Sequence, residues 1–173
     1  MKLSIAVISA ILIAGVSADY ATVKVDVQRI KTDVAKLYQA LKITSGTSYS
    51  EALAIDSASK ALVKDINAAN THDQAVVTSV TATQAQELLS ILSKAYVNVT
   101  AASQRLIALE PAFKKLGVAG IAKTDVNNLA TATKNFCATL VSKAPSSVKL
   151  SASALAGKYN SAISLAVAAY ASD

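Results

Sequence analysis

The chain has 173 residues, 53% of them hydrophobic, so it is long and apolar enough to bury a core of its own. Its 17 basic and 11 acidic residues give a formal charge of +6 at pH 7, and the lysines are scattered along the chain. Because nucleic-acid-binding proteins usually cluster basic residues among aromatic ones, we expect no nucleic acid among the partners.

A secretory signal peptide is predicted over residues 1–18. Lys2 supplies a positive charge, an apolar run follows, and Val16-x-Ala18 matches a cleavage pattern. We expect cleavage after Ala18, an extracellular location, and one mature domain of residues 19–173. The run is shorter than the roughly 20 apolar residues of a membrane-spanning helix, so no membrane span is predicted.

Apolar residues spaced alternately by four and three predict the first two helices. The first helix ends near the turn at residues 44–47, and Ser48-x-x-Glu51 resembles a capping box that begins the second. The core row of the first helix is Val23, Val27, Ile30, Val34, Leu37 and Leu41, and that of the second is Ile55, Ser59, Leu62 and Ile66.

A boundary or an irregular helix start is predicted at residues 71–83, and a long helix follows it. The wide apolar stripe of this long helix predicts a central helix with several neighbours, kinked or broken at Pro111 near Glu110. Two more helices follow, separated by Ala144-Pro145-Ser146, and the last covers about residues 147–171. Since no segment alternates like a strand, we predict an all-α fold, an up-and-down bundle of about five helices.

The core must be built from small and aliphatic side chains, because the chain has no tryptophan and two phenylalanines. Such helices either pack closely together or enclose a cavity. Three hydroxyls interrupt the apolar rows, and each either bonds to its own helix backbone or lines a cavity and binds the polar end of an amphipathic ligand. With nearby aromatic residues they form the candidate ligand-binding set Ser59, Tyr96, Ser103, Thr133, Phe136 and Tyr159.

No catalytic or metal-binding pattern is found in the sequence. His72 is the only histidine, in a polar stretch where a solvated position at the start of a helix is expected, and the carboxylates are dispersed. Cys137 follows Phe136 in an apolar helix, which favours a buried, unreactive thiol. We therefore predict no enzymatic activity, no cofactor and no metal. Asn98-Val99-Thr100 is a predicted N-glycosylation site.

The helical rows resemble those of the fungal hydrophobic surface-binding protein A family, which includes cell-wall galactomannoprotein antigens. The stretches that carry the resemblance are residues 25–41, residues 87–117 and residues 126–145. The resemblance implies a secreted or wall-associated helical protein that adsorbs to hydrophobic surfaces or holds a fatty acid between its helices.

Two functional classes therefore stay open. One is binding of a fatty acid, another amphiphile or a hydrophobic surface. The alternative is a structural cell-wall mannoprotein or antigen without a specific small ligand. Loose association with the cell wall and its polysaccharides is a further expectation under either class.

Overall fold

A computed structural model describes residues 19–77 and 79–172 of the chain, and the predicted signal peptide, residues 1–18, lies outside the described residues. Five helices account for most of the described part, which contains no strand. They are α1 (Tyr20–Ile43), α2 (Tyr49–Ala75), α3 (Ala82–Leu116), α4 (Ala119–Lys143) and α5 (Ser146–Ala169). The predicted all-α class and the number of helices are confirmed.

Side-chain caps start the first three helices. Asp19 accepts a hydrogen bond from the Thr22 amide at 2.9 Å, and Ser48 accepts one from the Glu51 amide at 3.4 Å. At α3, Thr81 and Gln84 form a full capping box, in which each side chain accepts from the other residue's backbone amide. This box places the start of α3 at the end of the polar stretch that the sequence left undivided.

The predicted capping box at Ser48 is only half formed, because Glu51 is engaged elsewhere. Its carboxylate accepts hydrogen bonds from the Thr44 hydroxyl at 2.6 Å and from the Ser45 amide at 3.1 Å. These bonds order the turn between α1 and α2.

Arg105 of α3 stabilises the end of α1. Its guanidinium donates to the Leu41 carbonyl at 3.0 Å and to the Thr44 carbonyl at 2.7 Å. The last carbonyls of a helix have no partner within the helix, so a half-buried arginine supplies the missing donors. Gly46 completes this contact: its φ is 77°, and a Cβ there would lie 2.8 Å from the Ala112 Cβ of α3.

Of the two alternatives predicted at Pro111, a kink or a break, the break is wrong, since α3 continues through Pro111 to Leu116. Pro111 is exposed, so the Ile107 carbonyl that loses its amide partner faces the solvent side. The helix ends at Gly117, whose φ of 80° gives the left-handed conformation typical of a helix C-terminus.

The five helices form a closed ring in the order α1, α2, α4, α5, α3 and back to α1, with a minor contact between α3 and α4. As predicted, α3 contacts several neighbours, namely α1, α5 and, to a smaller extent, α4. Its predicted central position is wrong, because it is one member of the ring. None of the five described helices fills the middle of the ring. Side chains must fill this space, which we call the lumen, and small side chains leave part of it empty.

Candidate functional site

The lumen contains an apolar cavity of about 80 Å³, the main cavity, to which all five helices contribute. No charged side chain is among the described residues that line it. Its lining includes Ile30 and Val34 of α1, Leu62 and Ile66 of α2, Leu92, Ala102 and Ser103 of α3, Thr133, Phe136 and Cys137 of α4, and Leu155, Ala156 and Tyr159 of α5.

Four of the six predicted ligand-binding residues line the main cavity: Ser103, Thr133, Phe136 and Tyr159. The Tyr159 hydroxyl donates to the Leu92 carbonyl at 2.8 Å, and burial raises its pKa, so it is neutral and already bonded. Tyr159 therefore offers a ring face to the cavity and no free polar atom.

Tyr96 and Ser59 lie elsewhere. The Tyr96 ring packs at a tilt against Tyr159, with the centroids 5.4 Å apart, and is not part of the cavity wall. Ser59 lies in a second cavity, and its buried Oγ has no hydrogen-bond partner. The expected bond from Ser59 to its own helix backbone is thus absent, whereas Thr100 on α3 makes one to the Tyr96 carbonyl at 3.1 Å.

Cys137 is a half-buried thiol in the wall of the main cavity. Burial raises its pKa to about 11, so the thiol is protonated at neutral pH and is a poor nucleophile. The residue is less buried than the sequence predicted, and the raised pKa of its thiol agrees with the expected low reactivity.

The second cavity, about 140 Å³, lies between the first halves of α2 and α4. Leu37, Leu106, Val126 and Leu129 line both cavities. The two spaces are therefore neighbours along the lumen, with these four apolar side chains between them.

An apolar rim surrounds the outer end of the second cavity. Tyr49, Leu53 and Ile121 line it, and they remain 60%, 59% and 46% exposed. Large apolar side chains at this exposure are a cost in water unless something covers them. We call these three residues the rim.

The wall of the second cavity also contains two acids, Asp56 of α2 and Asp125 of α4. Burial raises the pKa of Asp125 to about 7, helped by the charge of Asp56 and a hydrogen bond between the two carboxyl groups, and opposed by Lys60. Lys60 Nζ donates a hydrogen bond to Asp56 Oδ2 at 2.9 Å. It also lies 2.8 Å from Asp56 Oδ1, but at angles that do not form a hydrogen bond. Near neutral pH Asp125 is therefore only partly ionised.

A second pair of acids, Asp33 of α1 and Asp65 of α2, lines neither of these cavities. A hydrogen bond with Asp33 raises the pKa of Asp65, and Lys36 Nζ lies 2.8 Å from Asp33 Oδ1. Sequence reasoning missed both pairs, because acids far apart in the chain gave no sign that the fold joins them.

His72 is not a solvated residue at the start of a helix, as the sequence suggested. It lies near the end of α2, with its Nδ1 2.6 Å from Oδ2 of the buried Asp26 on α1. Its role is a contact between the first two helices. The described residues contain no group of three His, Cys, Asp or Glu that could hold a metal ion.

The described helices include none that is both long and apolar enough to cross a membrane. With the ring and its two cavities, the described chain is of the class of all-helical proteins with an internal apolar space. The sequence model of the family described as hydrophobic surface binding protein A matches residues 20–142, well over half of the chain. The chain belongs to this family, as the resemblance indicated.

Solved structures share the fold. Afmp4p in complex with palmitic acid matches with a TM-score of 0.82 and 24% identity, over 88% of this chain and 99% of that chain. Ligand binding domain 2 of the Penicillium marneffei MP1 protein, complexed with multiple arachidonic acids, matches with a TM-score of 0.81 and 16% identity, over 91% of this chain and 99% of that chain. Ligand binding domain 1 of the same protein, also complexed with arachidonic acids, matches with a TM-score of 0.79 and 16% identity, over 88% of this chain and 99% of that chain. No curated protein sequence matches the chain significantly.

Proposed function

We propose that this chain is a secreted, non-enzymatic protein that holds the acyl chain of a fatty acid or a similar amphiphile in its main cavity. One observation carries the proposal: all five helices turn apolar side chains toward a shared space that contains no charged group. An acyl chain is the ligand whose chemistry matches such a wall, because it offers a long apolar surface and no polar group along its length.

The dimensions and energies agree with an acyl chain. A chain of about 16 carbons is roughly 20 Å long, and a 24-residue helix such as α1 spans ~36 Å. Burying about 14 methylenes at ~0.8 kcal/mol each gives roughly 11 kcal/mol before the costs of association and ordering. Subtracting several kcal/mol for those costs leaves an affinity in the micromolar range.

The lumen must widen to admit such a ligand. A dry apolar cavity of about 150 Å³ holds one benzene, so the 80 Å³ main cavity alone is too small for an acyl chain. The 140 Å³ of the second cavity becomes continuous with it when Leu37, Leu106, Val126 and Leu129 change rotamer. The palmitic and arachidonic acid complexes of the similar structures support this use of the fold.

Displacement of a fluorescent fatty acid tests the proposal. We expect delipidated mature protein to bind cis-parinaric acid saturably and palmitic acid to displace it. Ala102→Trp fills the main cavity from α3 and should weaken binding by about tenfold or more, since an overpacked wall leaves no room for the chain. Ala156→Phe fills the same cavity from α5 and serves as a second variant if the first fails to fold.

Leu150→Trp is the matched control, because Leu150 is 83% exposed on α5 and lines none of the cavities described. Its affinity should equal that of the unchanged protein. Absence of saturable binding, or equal binding by the cavity-filling and control variants, would contradict the proposal.

Adsorption to hydrophobic surfaces is a second candidate function, favoured by the exposed rim of Tyr49, Leu53 and Ile121 and by the description of the family. Depletion of the protein from solution by hydrophobic beads tests it. Replacing Leu53 and Ile121 by serine should reduce depletion, and replacing the exposed Leu150 and Leu165 by serine should not. Equal depletion of both double variants would contradict a role for the rim.

Export and glycosylation complete the proposal. The signal-peptide pattern supports secretion with loose association to the cell wall and its polysaccharides, and N-terminal sequencing of the exported protein should begin at Asp19. Asn98 is half-buried on α3 and remains a predicted glycosylation site. A mass shift removed by Asn98→Gln would establish a glycan there, and an unchanged mass would exclude one.

A further inference from the structure

The second cavity contains polar groups that the main cavity lacks. It adjoins the main cavity across four shared apolar residues and opens at the rim, so a lipid that lies along the lumen has one end here. Its position and polarity are those of a headgroup site. This inference rests on the proposed function, because it concerns the head of the lipid whose chain the main cavity holds.

Ser59 is an unpartnered hydroxyl in this cavity, where Asp56 Oδ1 also has no hydrogen-bond partner. It is 2% exposed, it lines the cavity, and its Oγ has no hydrogen-bond partner. A buried hydroxyl without a partner is unfavourable, so a ligand that bonds to it recovers a loss already present in the empty protein. A hydroxyl can both donate and accept, and Ser59 by itself does not choose between classes of headgroup.

Two acids in the cavity wall favour one class of headgroup over another. Asp56 and Asp125 face the cavity, and Lys60 is the cation beside them, paired with Asp56. From α1 and α3 the cavity receives only apolar side chains: Leu37, Leu106 and Phe113. A headgroup at Ser59 therefore meets carboxyl oxygens and no unpaired cation among the described lining residues.

We propose that the second cavity is a headgroup subsite that selects a neutral, hydroxyl-bearing lipid over a fatty acid carboxylate. A lipid hydroxyl donates to a carboxyl oxygen of Asp56 or Asp125 and accepts from Ser59, so Ser59 and one of the two acids gain a partner. A fatty acid carboxylate cannot donate, and above the pKa of Asp125 it adds a further negative charge beside that ionised acid. A neighbouring like charge disfavours the charged form of a carboxyl group, and a pKa shift of about one unit corresponds to a tenfold change in an equilibrium constant.

Two probes of equal chain length test the selection. Displacement of Nile red, a neutral dye, from delipidated protein by 1-dodecanol and by dodecanoic acid gives the two affinities at about pH 6 and about pH 8, on either side of the Asp125 pKa. At the higher pH dodecanol should bind about tenfold more tightly than dodecanoate. This ratio of the dodecanol affinity to the dodecanoic acid affinity should be smaller at the lower pH, where Asp125 is protonated.

Three variants separate the contributions. Asp125→Asn removes the ionisable group and should make the ratio equal at the two pH values. Ser59→Ala should lower the affinity for dodecanol by about threefold to tenfold, the effect of losing one hydrogen bond. Asp33→Asn makes the same exchange in the acid pair outside these cavities and should keep the original ratio and its pH dependence.

The outcomes distinguish the two proposals. If neither probe displaces Nile red, lipid binding itself is wrong, and the subsite with it. If both displace it with equal affinity at the higher pH, or if Asp125→Asn keeps the pH dependence, the subsite is wrong while lipid binding stands. Titration of the probe's own carboxyl cannot imitate the expected result, because it would persist in Asp125→Asn.

Discussion

The two cavities of the lumen differ in what surrounds them. The main cavity draws walls from all five helices, and its polar atoms are the hydroxyls of Ser103 and Thr133, the Cys137 thiol and the bonded Tyr159 hydroxyl. The second cavity lies mainly between α2 and α4, contains two acids, and opens at an exposed rim.

This difference separates two properties of a binding site. Apolar walls give affinity in proportion to the buried surface, without regard to the ligand's polar end. Buried polar groups add little net affinity but discriminate strongly, because a ligand that cannot pair with them leaves them unsatisfied. In this ring the two properties occupy neighbouring spaces, so substitutions can alter one and leave the other.

The largest expected effect is on the main cavity. Phe136 is 4% exposed, and Phe136→Ala should lower the free energy of unfolding by about 3 to 5 kcal/mol, since it removes a large buried side chain and enlarges an existing space. Urea unfolding followed by circular dichroism measures the loss. The exposed Leu150→Ala should change it by less than about 0.5 kcal/mol. A loss below about 1 kcal/mol for Phe136→Ala would mean that the lumen collapses onto the gap.

A smaller effect is expected from the second cavity, and it depends on pH. The pKa of Asp125 is raised in the folded protein from 3.8 to about 7, so between these values the folded state holds a proton that the unfolded state has lost. Stability from this group is therefore full below about pH 4 and is lost as the pH rises toward 7.

Asp125→Asn should remove this contribution. Relative to the variant, the unchanged protein should lose about 1 to 2 kcal/mol between about pH 4 and about pH 7, a figure reduced for screening by Lys60 and by solvent at the rim. Urea unfolding at a series of pH values gives the difference. A constant difference across that range would show that Asp125 titrates normally.

The smallest expected effect returns to the main cavity wall. Tyr159→Phe keeps the ring and removes the buried hydrogen bond to the Leu92 carbonyl, so it should cost about 1 kcal/mol. Tyr49→Phe, at a 60% exposed rim position, is the control and should be near neutral. A cost above about 3 kcal/mol for Tyr159→Phe would indicate that this bond holds α5 to α3 more firmly than one neutral hydrogen bond can.

The helices could be predicted from the sequence because their signals are local. Apolar spacing located all five, and Ser48, Gly117 and Pro145 marked boundaries that the structure keeps within a few residues. The ring order could not be predicted, because every helix carries a similar aliphatic stripe and nothing local distinguishes the contact of α2 with α4 from one with α3. The central position assigned to α3 came from the width of its stripe, which in the ring faces two neighbours and the lumen.

Part of the candidate site could also be predicted, because the apolar rows that mark the helices also show which of their residues face the core. Ser103, Thr133, Phe136 and Tyr159 lie on core-facing rows of three helices, and rows that face the core of a ring meet in its lumen. Asp56 and Asp125 were missed because charged residues are normally read as solvent-facing. A usable signal was present: Asp125 lies four residues before Leu129, and Asp56 three before Ser59, so both share the register of a core row.

The helix that closes the ring is held by more than apolar packing. Helix α5 lies between α4 and α3, and the hydroxyls of Tyr159 in α5 and of Tyr170, the residue that follows it, donate to the Leu92 and Leu106 carbonyls of α3. These bonds tie both the middle of α5 and its C-terminal end to α3. Any separation of α5 from α3 that opens the lumen on this side must therefore break two buried hydrogen bonds, and it carries that cost in addition to the loss of packing.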